Sequence, residues 1–363
     1  MLNKIRSKFL LQVIFKNLKN RILLNIVKYN KKLSNNLNIE QKNYQNYKYL
    51  KEMNDIFETN IKDIETENLK LKRKEINNDN FELITKIEFN NLKDLNLSEN
   101  QISDITAFEK VNFKKLEILN LNNNKLENIN VLKIVKFKEL KELHLYHNNI
   151  SDINALEKVN FHKLKELNLY QNKIKDIAVL KYVQFKELEI LDLGHNEITD
   201  INILKQVNFK KLKKLILGIN EISDISILDQ VNFESLEILD LRNNEIIDIN
   251  ILKFVNFKEL KELYLNDNKI KDIEALMNSN FTKLEILNLS WNQITSIDVF
   301  EKVNFKELKA LYMIQNQIYD IQVLDKVKFE KLDTINLYEN RINKENNSLL
   351  INNLKTKYRN FIC

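Results

Sequence analysis

Residues 161–184, FHKLKELNLYQNKIKDIAVLKYVQ, decide the fold. The opening phenylalanine recurs at every twenty-fourth position, together with the asparagine that follows it and, in most units, the leucines and the aspartate. The phenylalanines are Phe89, Phe113, Phe137, Phe161, Phe185, Phe209, Phe233, Phe257, Phe281, Phe305 and Phe329. A fixed period held over eleven units predicts a solenoid built from one repeated element.

Within each unit the spacing predicts a strand followed by a short helix. Leu167 and Leu169 have the two-residue period of a strand with one buried face. Asn172 lies in a column that is asparagine in every unit, and its amide can bond the backbone of neighbouring turns. Asp176 is a good helix N-cap, and an apolar residue recurs every third position after it. Neither element can bury its apolar face alone, so stability must come from stacking.

The pattern Leu-x-x-Leu-x-Leu-x-x-Asn-x-Ile-x-x-Ile-x-x-Leu resembles the leucine-rich repeat. It is similar to the repeat of the phosphatase-regulator type, of roughly 22 residues, lengthened here by two. The resemblance covers residues 89–342 and implies a curved α/β solenoid, with a parallel sheet on the concave face and short helices on the convex face. It also implies protein–protein binding as the usual function.

Three regions follow along the chain. Residues 1–75 are predicted to be a helical N-terminal region, because residues 10–33 and 44–75 have amphipathic spacing. Residues 76–342 are predicted to be the solenoid of about eleven units. Residues 343–363 are predicted to be a C-terminal cap.

The predicted C-terminal cap is one helix that closes the last unit of the solenoid. Its helical spacing covers residues 345–357, and Leu349, Leu350 and Leu354 are expected to point inward. A solenoid needs such a cap because the last unit has no neighbour to bury its apolar side.

Composition excludes several classes of site. Gly194 and Gly218 are the only glycines, so a glycine-rich phosphate loop is excluded. The single cysteine, Cys363, excludes a disulfide framework and a multi-cysteine metal site. No apolar run approaches the roughly eighteen residues that span a membrane. The sequence therefore predicts a cytoplasmic or nuclear protein with no cofactor and no membrane partner.

The charge is distributed unevenly along the chain. Residues 1–39 contain nine Lys and Arg and no acidic residue, whereas the net charge of the whole chain is +6. The remainder therefore carries 6 − 9 = −3, so the solenoid is not expected to bind nucleic acid.

The concave face consists of the residues five, seven and nine positions after each phenylalanine, because these alternate with the buried leucines. Gly194 and Gly218 lie there in adjacent units and predict a notch between Tyr170 and Arg242. Aromatic residues and arginine are typical of binding hot spots. The alternative is that these positions vary freely and that the isoleucines among them only favour strands. The candidate partner-binding residues, on this face or at the strand exits beside it, are Tyr146, Tyr170, Asp192, His195, Ile216, Asp240, Arg242, Tyr264, Trp291 and Tyr312.

No catalytic or metal site is predicted, so the protein is not expected to be an enzyme. His147 and His195 lie two units apart, or about 9.6 Å at about 4.8 Å per strand. Zinc holds each ligand at about 2 Å. Asp192 and Asp240, also two units apart, are expected to contact a basic partner.

The N-terminal region carries a second functional hypothesis. Residues 14–27 resemble the F-box, a helical module that joins substrate receptors to a ubiquitin ligase. The resemblance implies a ligase adaptor in which residues 9–33 contact the ligase subunit. A plain helical cap, and an arm for RNA, a membrane or organelle targeting, are the alternatives. The main prediction is a non-enzymatic adaptor, and regulation of a protein phosphatase is a further alternative.

Overall fold

The computed structural model describes residues 41–327 and 329–363. Thirteen short strands in this part form one parallel sheet, in the order of the chain. They are β1 (Asn68–Lys70), β2 (Asp94–Asn96), β3 (Ile118–Asn120), β4 (Glu142–His144), β5 (Glu166–Asn168), β6 (Ile190–Asp192), β7 (Lys214–Ile216), β8 (Ile238–Asp240), β9 (Glu262–Tyr264), β10 (Ile286–Asn288), β11 (Ala310–Tyr312), β12 (Thr334–Asn336) and β13 (Asn360–Ile362).

Each unit adds its strand directly beside the previous one. The central leucine of β5, Leu167, is in register with Leu143 of β4 and Leu191 of β6. These leucines are fully buried, as are the leucines two positions later. The sheet is curved and unclosed, so the predicted leucine-rich-repeat-like solenoid is confirmed.

Short helices lie on the side opposite the sheet, as predicted, but most of them are 3-10 helices of four or five residues. Asp176, predicted as the N-cap, lies one residue before the N-cap Ile177, and its Oδ1 accepts from the N–H of Ala178, the first residue of the helix, at 2.7 Å. The single-turn α-helix α3 (Val323–Lys326) replaces the 3-10 turn before β12. The 3-10 helices within the described residues are Thr106–Lys110, Asn130–Lys133, Asn154–Lys158, Ala178–Lys181, Asn202–Gln206, Ser226–Asp229, Asn250–Lys253, Glu274–Asn278 and Asp298–Glu301.

The asparagine column forms the predicted ladder of buried hydrogen bonds. Asn172 Nδ2 donates to the carbonyls of Leu145 at 3.0 Å and Leu169 at 3.1 Å. Its Oδ1 accepts from the N–H of Ile150 at 3.0 Å. One side chain thus satisfies backbone groups in its own unit and in the preceding one, where water has no access.

The residue before each ladder asparagine has a left-handed backbone, with φ between 49° and 60° in all eleven units. In the first ten of these units its N–H donates to the next unit, as His195 does to the Gly218 carbonyl at 2.8 Å. Asn and Asp tolerate this conformation, but Ile219 and Trp291 are bulky residues for which it is strained. The column is never glycine, so the sequence pattern does not reveal this turn.

The N-terminal part of the described chain differs from the prediction. Helix α1 (Gln41–Ile56) agrees with the helical spacing predicted there. The prediction that helical structure continues to residue 75 is wrong, because this stretch contains β1, which pairs with β2. Leu69 is in register with Leu95, so this extra unit is two positions longer than the others and does not follow their 24-residue period. Helix α2 (Asn78–Thr85) then occupies the position of the convex turn. The F-box-like segment lies outside the described residues.

The C-terminal cap is also only partly as predicted. Helix α4 (Ser348–Lys357) buries Leu354 and Ile351, whereas Leu349 is 75% exposed and Leu350 is half-buried. The inward prediction for Leu349 is therefore wrong, since residues 351, 354 and 358 share the buried face. Strand β13 then pairs with β12 and buries Phe361, which extends the sheet beyond the last regular unit.

Candidate functional site

Aromatic side chains form a row along the exit edge of strands β4 to β6. The ring centroids of Tyr146 and Tyr170 are 5.5 Å apart, and those of Tyr170 and His195 are 5.6 Å apart. His147 lies 5.7 Å from Tyr146 at the same edge. The tyrosines are half-buried and both histidines are exposed. The structure thus brings together Tyr146, Tyr170 and His195, three of the residues that the sequence singled out.

The predicted notch at the two glycines is filled. The position that a Cβ of Gly194 would occupy lies 2.9 Å from Cδ2 of Tyr170. The corresponding position at Gly218 lies 2.8 Å from Cγ of Arg242. The glycines are therefore required because side chains of neighbouring units lie over them, and the expectation of an open notch is wrong.

Two candidate residues beneath these side chains are buried and do not present a free contact surface. Ile216 is 7% exposed and Asp240 is 4% exposed. Asp240 Oδ2 accepts from Arg242 Nε at 3.1 Å. Burial raises the pKa of the Asp240 carboxyl, while the N–H and guanidinium of Arg242 and the Lys214 ammonium oppose the rise. Asp240 thus holds Arg242 in place, which corrects the expectation that it contacts a basic partner.

Asp192 is only partly buried, and it has no Lys or Arg within ion-pair distance among the described residues. Its Oδ1 accepts from the N–H of Gly194 at 3.0 Å. Burial raises the pKa of the carboxyl from 3.8 to about 6, and the carboxylates of Asp240 and Glu166 add to the rise. The Gly194 N–H and the Lys214 ammonium only partly offset it.

Two glutamates beside the aromatic row were missed by the sequence analysis. Glu142 and Glu166 are register partners on β4 and β5, so their carboxylates project from adjacent strands. His144 lies between them, with Nε2 3.2 Å from Glu142 and Nδ1 3.5 Å from Glu166. The signal was available in the column five positions after each phenylalanine, which was read only for its isoleucines.

The remaining candidates lie further along the solenoid. The hydroxyl of Tyr264 donates to Glu262 at 2.8 Å, and burial together with this bond raises its pKa. Trp291 is 54% exposed and follows β10, about 19 Å from the exit of β6 at about 4.8 Å per strand. Tyr312 is half-buried on β11. These three therefore do not join the aromatic row.

Lysines that flank the strands are engaged in a ladder of ion pairs. Glu189 contacts Lys165 at 3.1 Å and Lys213 at 2.7 Å, and Lys141 contacts Glu117 at 2.6 Å. These pairs join consecutive units just before each strand.

Residues 41–327 and 329–363 contain no group of three or more His, Cys, Asp or Glu side chains that could hold a metal ion. No helix in the same part of the chain is long and apolar enough to cross a membrane.

We expect Asp192→Asn to raise the free energy of unfolding by about 1–2 kcal/mol at about pH 7.5. Asparagine accepts the same Gly194 N–H, as Asn168 accepts that of Tyr170 at 3.0 Å. Because the folded state holds the proton more tightly, the Asp192 contribution to stability falls as pH rises from 3.8 to about 6. Urea unfolding of both proteins should show a gain above about pH 6 that vanishes below about pH 4. An equal gain at both pH values would contradict the buried charge as its cause.

Family models for leucine-rich repeats match most of the solenoid. A model of two repeat copies matches residues 90–133, 138–182 and 186–230, and a second leucine-rich repeat model matches residues 234–294 and 258–318. The chain belongs to the leucine-rich repeat family. The matches begin at residue 90, so they leave the F-box-like prediction untested, and they do not specify the phosphatase-regulator type. No curated protein sequence matches the chain.

Several solved leucine-rich repeat structures are similar to this chain. An internalin, InlF, from Listeria monocytogenes is 27% identical with a TM-score of 0.61, and the match covers 81% of this chain and 89% of the internalin. A leucine-rich repeat protein of Leptospira interrogans is 22% identical with a TM-score of 0.51, covering 78% and 80%. The ectodomain of the Arabidopsis thaliana receptor kinase GASSHO1/SCHENGEN3, in complex with Casparian strip integrity factor 2, is 22% identical with a TM-score of 0.52, covering 72% and 34%. The last two likenesses concern the fold alone.

Proposed function

We propose that this protein is a non-enzymatic adaptor that binds a protein partner on its concave face. The observation that carries the proposal is the row of Tyr146, Tyr170 and His195, which presents partly exposed rings on a stacked, hydrogen-bonded sheet. Rings held in this way lose little conformational freedom on binding, and tyrosine is enriched at binding hot spots. Leucine-rich repeat proteins are commonly interaction scaffolds or receptor ectodomains, which agrees with this role.

The proposal is tested by affinity capture with the full chain as bait. We expect Tyr146→Ala/His195→Ala to recover partner proteins at least roughly tenfold less than wild type, because each ring belongs to the aromatic row. The matched control is Tyr182→Ala/His162→Ala, which removes the same residue types from exposed positions outside the concave face. Quantitative mass spectrometry of the captured proteins measures both. Equal recovery by the two double variants would overturn the concave face as the binding surface.

The captured proteins also separate the alternative functions. Subunits of a ubiquitin ligase would favour the F-box-like hypothesis, and a phosphatase catalytic subunit would favour the regulator hypothesis. The cytoplasmic or nuclear location stays a prediction, which fractionation of cells that express the chain would check.

A further inference from the structure

The concave face over β4 and β5 carries two carboxylates that form no ion pair with a Lys or Arg of the described residues. Glu142 and Glu166 project from adjacent strands in register, and neither forms an ion pair with a Lys or Arg among the described residues. His144 lies between them, with its ring nitrogens 3.2 Å and 3.5 Å from the two carboxylates. Like charges on neighbouring strands repel each other, and here only His144 lies between them.

The lysines closest in sequence form their ion pairs with other carboxylates. Lys141 and Lys165 precede the two glutamates, but they are paired with Glu117 and Glu189 in the ladder beside the sheet. Within the described residues, the ladder beside the sheet therefore pairs its carboxylates with lysines, whereas Glu142 and Glu166 on the concave face have no Lys or Arg partner.

Asp192 extends this surface onto a third strand. Five of the eleven units have asparagine in its column, and asparagine makes the same Asx turn without charge, as Asn168 does. The turn does not need the charge of Asp192, and burial penalises the carboxylate by more than the Gly194 N–H stabilises it. The Lys214 ammonium lowers this penalty only in part, from beyond ion-pair distance. A charge that costs folding energy in a turn that asparagine forms equally well points to an external cation.

The aromatic row borders the three carboxylates. Tyr146 and Tyr170 follow the strands that carry Glu142 and Glu166, and aromatic faces attract Lys and Arg side chains. Three strands span about 10 Å, which is the length of about three residues of an extended peptide. One short cationic stretch can therefore face all three carboxylates and the two rings together.

We propose that the concave face over β4 to β6 binds an extended segment of the partner that is rich in Arg and Lys. This inference rests on the proposed function and adds the chemistry of the partner. The carboxylates of Glu142, Glu166 and Asp192 receive the cationic groups, and Tyr146 and Tyr170 pack against their alkyl stems and guanidinium planes.

Fluorescence anisotropy with the full chain tests the proposal. The probes are a labelled peptide of alternating arginine and serine and a glutamine–serine peptide of equal length. We expect the wild type to bind only the arginine peptide, with an affinity that falls as salt is raised. The variant Glu142→Gln/Glu166→Gln/Asp192→Asn should bind the arginine peptide at least roughly tenfold more weakly, because the carboxylates that receive its guanidinium groups are gone.

The matched control is Glu109→Gln/Glu157→Gln/Glu301→Gln, which removes three exposed carboxylates from the convex 3-10 helices. It changes the net charge of the chain equally, and we expect it to keep the wild-type affinity within roughly twofold. Equal weakening by both triple variants would overturn the proposal, because overall charge alone would then explain binding.

Two other outcomes would also overturn it. The nine Lys and Arg of residues 1–39 could themselves be the occupant, in which case the wild type would bind no peptide and a chain with those nine changed to Gln would bind it. If neither chain binds the arginine peptide, the cationic partner is wrong. The capture experiment separates the two proposals. If Tyr146→Ala/His195→Ala loses the captured proteins, the proposed function stands even when the cationic partner is wrong. If capture is unchanged, both proposals are wrong.

Discussion

Asn172→Ala is expected to lower the free energy of unfolding by about 2–4 kcal/mol. Alanine leaves the buried N–H of Ile150 without its acceptor and removes one donor from the carbonyls of Leu145 and Leu169. A buried polar group without a partner bears its full desolvation cost, which exceeds the small net gain of a hydrogen bond exchanged with water. The loss therefore comes from the backbone groups that remain rather than from the amide that is removed.

Urea unfolding of the full chain measures this effect against Asn202→Ala. Asn202 is exposed on a convex 3-10 helix, so its replacement tests the loss of an asparagine without the loss of the ladder. We expect the control to change the free energy of unfolding by less than about 0.5 kcal/mol. Similar losses in the two variants would show that the ladder contributes little to stability.

The asparagine ladder could be predicted from sequence because it depends on one residue type at one spacing. Each unit repeats the same contacts, so a single unit such as residues 161–184 contains the rule for all of them. The unit around β1 shows where this reasoning fails. It is two positions longer than the others and has Lys74 where the ladder asparagine would be, so only the pairing of Leu69 with Leu95 reveals it.

The concave face was harder to predict because its chemistry depends on contacts between units. The sequence places Gly194 and Gly218 side by side, but it does not show that Tyr170 and Arg242 lean over them. The direction of a side chain along the stack depends on its rotamer and on the space that the neighbouring strand leaves. A gap in one column was therefore filled by a side chain from the adjacent unit.

The same limitation explains why the acidic row was missed. Glu142 and Glu166 are unremarkable within their own units, since polar residues are expected at that position. Their significance appears only when the register puts them next to each other and the ion-pair ladder is seen to engage Lys141 and Lys165 elsewhere. Charge on a stacked sheet must be read across units as well as along each one.

Phe185→Ala is expected to lower the free energy of unfolding by about 3–5 kcal/mol, because the ring is 1% exposed and its removal leaves a cavity. The residue also closes the turn into its unit, since its carbonyl accepts from the N–H of Leu188 at 3.1 Å. Val183, two positions earlier, is buried as well. The stretch in which this repeat is lengthened thus adds apolar surface to the core rather than an exposed loop.

Phe185→Leu and Lys186→Ala separate the cavity from other effects of substitution in the same urea measurement. Leucine refills most of the volume, so we expect it to recover more than half of the loss. Lys186 is exposed beside the ring, and its replacement should change the free energy of unfolding by less than about 0.5 kcal/mol. Because each unit is stabilised through its neighbours, a cavity in one unit weakens the stacking on both sides. A loss below about 1 kcal/mol for Phe185→Ala would mean that adjacent units collapse into the space, and that the phenylalanine column is not a rigid part of the core.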